Sequence, residues 1–172
     1  RKSQRNHIVN HAFQLFIKQG IQNVSMIDIA SAAGIQRRTL YNYYNNKEEL
    51  AMEIMKCTYM GDVAKEFYQE ITMESGYKEV AFYFTRLYEY MVIHTDVVNF
   101  WVQFDYYFQA GYDNESYEAF IMKNLATPSS FARSFLKGIE DGSIKPIYKE
   151  NYAKYFYAMV MAMIGMAQRI IF

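Results

Sequence analysis

Six side chains between positions 37 and 43, Arg37, Arg38, Thr39, Tyr41, Asn42 and Tyr43, have the types and spacing to contact nucleic acid together. Arginine offers a planar fork that bonds guanine edges or phosphate oxygens two at a time. Thr and Tyr hydroxyls and the Asn amide add donors to phosphate or base. Leu40 and Tyr44 interrupt the set at helical spacing, so a helix over about 36–44 turns those two inward and leaves the six largely outward.

The flanking elements must hold that helix at a surface. Ser25 can accept from a free N–H at a helix start while Asp28 answers three residues on, which predicts a helix over about 26–33. Gly34 stops it, because glycine enters a left-handed turn without steric cost, and Ala30 and Ala33 allow the next helix close. Ile29, Ile35, Leu40 and Tyr44 supply a shared apolar seam. Asn45 or Asn46 then caps a third helix. Its first turn holds Lys47, a cation the helix dipole disfavours unless an anion such as a DNA phosphate lies near. Helix, tight turn and helix in this order form a device that presses side chains into a DNA groove.

At these residues the chain resembles the tetracycline-repressor (TetR) family of bacterial transcriptional regulators. The family pattern reads here as Ile29-Ala30, Ala33-Gly34, Thr39-Leu40-Tyr41, Tyr43-Tyr44 and Lys47-Glu48 with Leu50. Upstream, Ala12, Leu15-Phe16 and Gly20 fit the family's first helix and its exit, with Ile8, Ala12, Leu15 and Phe16 on one face. Gln36 stands where the family commonly has a Ser or Thr cap, and Arg38 where a small residue is most common. The resemblance implies an all-α fold: an N-terminal helix-turn-helix DNA-binding domain over 1–47, then a helical effector-binding and dimerisation domain over 48–172. The DNA-contacting set it implies is Ser25, Gln36, Arg37, Arg38, Thr39, Tyr41, Asn42, Tyr43 and Lys47.

Charge divides along the same line. The chain is neutral overall, yet residues 1–50 hold seven Lys/Arg against three Asp/Glu, a net +4, and the remainder holds eleven against fifteen, a net −4. One end is therefore suited to a polyanion. Arg1, Lys2 and Arg5 are expected to form a flexible basic arm. The single Cys57 cannot close an internal disulfide and no signal-peptide pattern opens the chain, which points to a reducing, cytoplasmic setting.

From Lys47 the helical pattern runs to about residue 70 with a bend at Gly61, and in a TetR-like protein this is the connector between body and head. Further helices are expected over 78–94, 96–111, 116–126, 129–140 and 148–171, separated by Gly, Pro, Thr and Asp signals. Two of them are dense in rings, exceeding one buried stripe. The resemblance implies an effector cavity in this region, for which Phe84, Tyr88, Trp101, Phe104, Asp105 and Phe108 are the candidate lining. Glu89, Asp96 and Asp105 lie among the rings, and an acid beside aromatic faces favours a lipophilic cation.

The apolar run at 152–172 raises the possibility of a membrane span, since roughly 20 apolar residues cross a bilayer. Lys154, Gln168 and Arg169 argue against it. In the family the last two helices instead pair with their copies, and Phe135, Ala158, Ala162, Gly165 and Met166 are the candidate dimer contacts. A two-fold dimer reads a palindromic duplex operator. No phosphate loop, nucleophile elbow or cysteine cluster marks an enzyme, and no cofactor is expected. His7 and His11 have metal-ligand spacing without an acidic or Cys partner, so no metal is expected either. The reading is a homodimeric repressor released by a small lipophilic or aromatic effector. Its alternatives are a body that binds a partner protein and, further off, a membrane-associated helical protein.

Overall fold

Four helices make the N-terminal head, and each begins or ends where a local signal dictates. The computed structural model describes residues 2–59, 70–111 and 129–171. Helix α1 (Lys2–Gln19) buries Ile8, Ala12 and Phe16, one side chain per turn along a single face. It already includes Lys2, and Arg5 is fixed by a two-point ion pair to Glu53, its Nε donating to Oε1 at 2.7 Å. Residues 2–5 are thus helix rather than a flexible arm, because a carboxylate on a neighbouring helix anchors them. Arg1 lies outside the described residues.

Helix α2 (Met26–Ala32) starts with the expected capping box: Ser25 Oγ accepts from Asp28 N–H, and Asp28 accepts from Ser25 N–H at 2.8 Å. Gly34 adopts φ +61 and reverses the chain, after which Ile35 N–H bonds back to Ala30 O at 3.0 Å. Helix α3 (Arg37–Tyr41) is shorter than the expected 36–44. The amides of Asn42, Tyr43 and Tyr44 turn back onto the carbonyls of residues 38–40, closing it early. Helix α4 (Lys47–Lys56) is capped by Asn46, whose side chain accepts from Glu49 N–H at 2.8 Å, while Asn45 donates twice to the Glu49 carboxylate. Leu50, Ala51 and Ile54 of α4 join Ile8, Phe16, Ile29, Leu40 and Tyr44 in the buried cluster. The expected continuation to residue 70, with its bend at Gly61, falls on residues 60–69, outside those described.

The body holds α5 (Gly76–Ile93), α6 (Thr95–Gly111), α7 (Ser129–Glu140) and α8 (Tyr152–Ile171), with a 3-10 turn at Pro146–Asn151 where the last helix was expected to begin. Pro146 stands at the start of that turn, where its missing N–H leaves no bond unmade. The expected helix over 116–126 lies outside the described residues. Helices α5 and α7 meet backbone to backbone: a Cβ on Gly76 would lie 2.0 Å from the Gly138 nitrogen. The first amides of α5 are taken up by the loop after α7, Gly76 N–H by Asp141 at 2.7 Å and Tyr77 N–H by Ser143 at 3.0 Å. The Ser143 hydroxyl, with the Gly76 and Ser143 amides, holds the Asp141 carboxyl below its ordinary range.

Aromatic packing carries the body interior. Phe131 touches the rings of Tyr83, Phe84, Phe135 and Phe156, with centroids 4.5–6.4 Å away. Phe135, expected at a dimer surface, packs instead inside the chain against Phe131 and Tyr152, because α7 turns that face toward α8. No described helix is long and apolar enough to cross a membrane, and no strand occurs among the described residues.

Candidate nucleic-acid interface and body cavity

The head presents α3 outward. Arg37, Arg38, Tyr41 and Asn42 are exposed, Thr39 and Tyr43 half-buried, and Leu40 fully buried beneath them. The Arg37 guanidinium lies 5.4 Å from the Tyr41 ring centroid and 3.4 Å from its hydroxyl, so two candidate contacts are mutually supported before any ligand arrives. Gln36 is the N-cap of α3 without a side-chain cap bond, which keeps its amide available at the same surface. A groove of about 610 Å³ beside α3 is lined by Thr39, Asn42 and Tyr43 and, from α1, by Lys2 and Arg5. Beneath it the Arg5 guanidinium sits 5.3 Å from the Tyr44 ring, and burial pushes the Tyr44 phenol well above its ordinary range.

Two members of the expected DNA-contacting set have work elsewhere. Ser25 is engaged by its own capping box, its hydroxyl donating to Asp28 at 2.6 Å. Lys47 is expected to need a phosphate, but its ammonium donates to the carbonyls of Ile21, Gln22 and Val24 at 2.7, 3.0 and 3.0 Å and lies 5.3 Å from the Tyr107 ring. Those carbonyls and that ring stabilise the first-turn cation, so DNA is not required to explain it. His7 likewise has a structural partner, its Nε2 lying 3.0 Å from Ala33 O, while His11 packs edge-on against its ring. No cluster of metal-ligating groups occurs among the described residues.

Helix α6 is the beam between head and body. On one side Asn99 and Gln103 donate to Ile17 O at the end of α1, and Tyr107 donates to Glu48 at the start of α4 at 2.6 Å. On another side Trp101, Val102, Asp105, Tyr106 and Gln109 line a cavity of about 360 Å³ closed by α8 and Met55. Of the six candidate effector residues this cavity contains Trp101 and Asp105. Phe84 packs on Phe131 and Phe156, Phe104 and Phe108 are fully buried core rings 4.3 Å apart, and Tyr88 stands on the surface. Glu89 pairs with Arg86 and Asp96 is exposed in the first turn of α6, so among the three acids Asp105 reaches the cavity.

The α8 wall, Tyr157, Met161, Ile164 and Gln168, escaped the sequence reading. Its spacing of four, three and four is a legible signal for one helix face, adjacent to the stripe Ala158, Ala162, Gly165 and Met166, which is exposed. Gly165 belongs to both.

Comparison with known proteins agrees with the head's geometry. Residues 8–54 match the family described as bacterial regulatory proteins, tetR family. The chain carries a TetR-family DNA-binding domain. Over 50 residues the domain is 46% identical to the regulator MftR of Mycobacterium tuberculosis, covering 29% of this chain and 25% of that protein. It is 40% identical to the HTH-type transcriptional regulator AcrR of Shigella flexneri, covering 29% and 23%. The matched stretch thus spans about a quarter of the length of these curated relatives. Beyond the TetR-family domain, the likeness is of fold. Ligand-free RolR superposes with a TM-score of 0.66 at 21% identity, over 95% of this chain and 82% of that one. A TetR family transcription regulator from Marinobacter aquaeolei VT8 gives 0.68 at 15%, over 99% and 86%.

Proposed function

We propose that the protein is a homodimeric transcriptional repressor that reads a palindromic operator with α3 and is released by a small molecule bound between α6 and α8. The observation that carries the reading is the exposed set Arg37, Arg38, Tyr41 and Asn42 on a short helix whose underside, Leu40, is fully buried in a basic head. In this reading residues 1–47 form the DNA-reading unit and 48–172 the effector and dimer unit, with α4 packed against both. The exposed α8 stripe pairs with its copy, because small residues let two helices approach closely. Two-fold pairing places two α3 helices on one side of the duplex, one per half-site.

Release follows from the position of α6. A ligand pressed against Trp101 and Asp105 acts on the helix whose other side holds Ile17 and Glu48 of the head. If the ligand prefers the spacing that DNA disfavours, it lowers DNA affinity by the same factor that DNA lowers its own. Solved proteins of this fold give the idea precedent: RolR is known with resorcinol bound, and a regulator from Saccharomonospora viridis with choline.

The test is selection of bound sequences from random duplexes at near-physiological salt, with the oligomeric state measured by sedimentation. A palindrome bound tightly by a dimer, and lost when Arg37 and Arg38 are replaced, supports the reading. Binding that never exceeds the non-specific level removes it.

A further inference from the structure

The groove of about 610 Å³ beside α3 is built from two elements: Thr39, Asn42 and Tyr43 come from the reading helix and its exit, Lys2 and Arg5 from the start of α1. No Asp or Glu lines it. Its two cations differ in their partners. Arg5 is committed, its guanidinium making a two-point pair with Glu53 of α4 and lying 5.3 Å from the Tyr44 ring. Lys2 is exposed, and among the described residues nothing engages its ammonium. The Thr39 and Tyr43 hydroxyls and the Asn42 amide likewise make no bond to another described residue.

Elsewhere in the head the same kinds of group do find partners: Asn45 donates to Glu49, and Lys47 to three carbonyls. Donors left open around one acid-free groove call for an acceptor from outside, and hydroxyl, amide and ammonium together suit the oxygens of a phosphate. The groove borders the helix that would enter the major groove, so the phosphate within reach is one of the duplex backbone. Lys2 and Arg5 stand three residues apart on one face of α1, and the Arg5–Glu53 pair therefore fixes the rotation that holds Lys2 at the groove. We propose that Lys2, with Thr39 and Tyr43, clamps one phosphate of the operator backbone, which makes α1 a second DNA-contacting element beside the helix-turn-helix. The clamp rests on the DNA-reading function proposed above. It adds affinity without base preference, since the phosphate is the same in every sequence.

The test uses the full chain and the operator recovered by selection. In a dimer with one clamp per head, Lys2→Gln should reduce the slope of log Kobs against log salt by about 2 and weaken binding at near-physiological salt by about ten- to thirtyfold, equally for every operator variant. Lys2→Arg should keep both slope and affinity, and neither change should alter the melting temperature, because the side chain is exposed. A methylphosphonate removes one backbone charge. Placed in turn along each half-site, it should reveal a position that weakens the unaltered chain and leaves Lys2→Gln unaffected. An unchanged salt slope in Lys2→Gln overturns the clamp and leaves operator reading standing. A loss accompanied by a changed consensus at the flanks also overturns it, and assigns Lys2 to a base. Recovery of no operator overturns the clamp together with the reading on which it rests.

Discussion

Head and body are both helical, but they are stabilised differently. In the head, the side chains that cap α2 and α4 come from their own first turns or the residues just before them. Ser25 and Asp28 cap α2, and Asn45, Asn46 and Glu49 cap α4, each across three or four residues. In the body, α5 has its local cap, Ser75 accepting from Lys78 N–H, but Asp141 and Ser143 also take its first amides from 65 and 66 residues away, and Lys137 pairs with Glu79 from 58. The head therefore has the ends of α2 and α4 specified locally, and it leaves Arg37, Arg38, Tyr41 and Asn42 exposed on one face. The body brings its rings and the glycines of α5 and α7 together, and its packing leaves a space lined by α6, α8 and Met55 of α4. A unit built the first way suits a fixed reading surface, while one built the second way can couple a cavity to movement.

The largest test of that contrast is Phe131→Ala. Removing a ring in contact with four others should cost about 3–5 kcal/mol of stability in urea unfolding. A loss below about 1 kcal/mol would show that the body does not depend on its aromatic interior. Arg38→Ala should do the opposite: about 1–3 kcal/mol of specific DNA affinity lost and the melting temperature kept, because the side chain is exposed. Retained affinity and base preference, measured by anisotropy on the selected operator, would remove Arg38 from the reading surface.

Gly34→Ala should destabilise the head by about 1–2 kcal/mol, through backbone strain alone, since nothing lies within 4 Å of a Cβ built there. Gly34→Asn should recover much of that loss, because asparagine enters the left-handed region more readily. Equal losses for the two variants would locate the cause in contacts rather than φ.

The smallest effect concerns acid. Burial pushes the Glu79 carboxyl up, but the Lys137 ammonium, Ser134 and the Met73 N–H outweigh it and hold the group below its ordinary 4.5. A depressed folded value stabilises the fold above the ordinary value, and the contribution fades as pH falls through the folded one. Glu79→Gln should therefore cost about 1 kcal/mol at pH 7, allowing for screening at half-exposed Lys137, and flatten the stability profile below about pH 4.5. An unchanged acid limb would assign the body's acid sensitivity to other carboxylates.

Much of the head was legible because its signals are short in sequence. Capping residues, the glycine turn and the one-face spacing of Ile8, Ala12 and Phe16 lie within a few residues of what they control. Lys47 is the opposite case: its partners are carbonyls more than twenty residues upstream, which no local pattern announces. The helical anchoring of Arg5 is equally non-local, its carboxylate partner lying 48 residues away. Density of rings marked the body as a place for a cavity but could not say which rings face it, since core packing and cavity lining draw on the same residue types.

The sequence by itself determined the all-helical class, the helix-turn-helix with its caps, the outward set on α3 and the segregation of charge, because helix periodicity and capping are local interactions. Only the tertiary structure decided that Phe135 turns inward, that Asp105 and Trp101 share a cavity with Tyr157, and that α6 holds head and cavity at once. Those outcomes depend on which helix faces meet, and glycine contacts such as Gly76 on Gly138 set that approach between residues far apart in the chain.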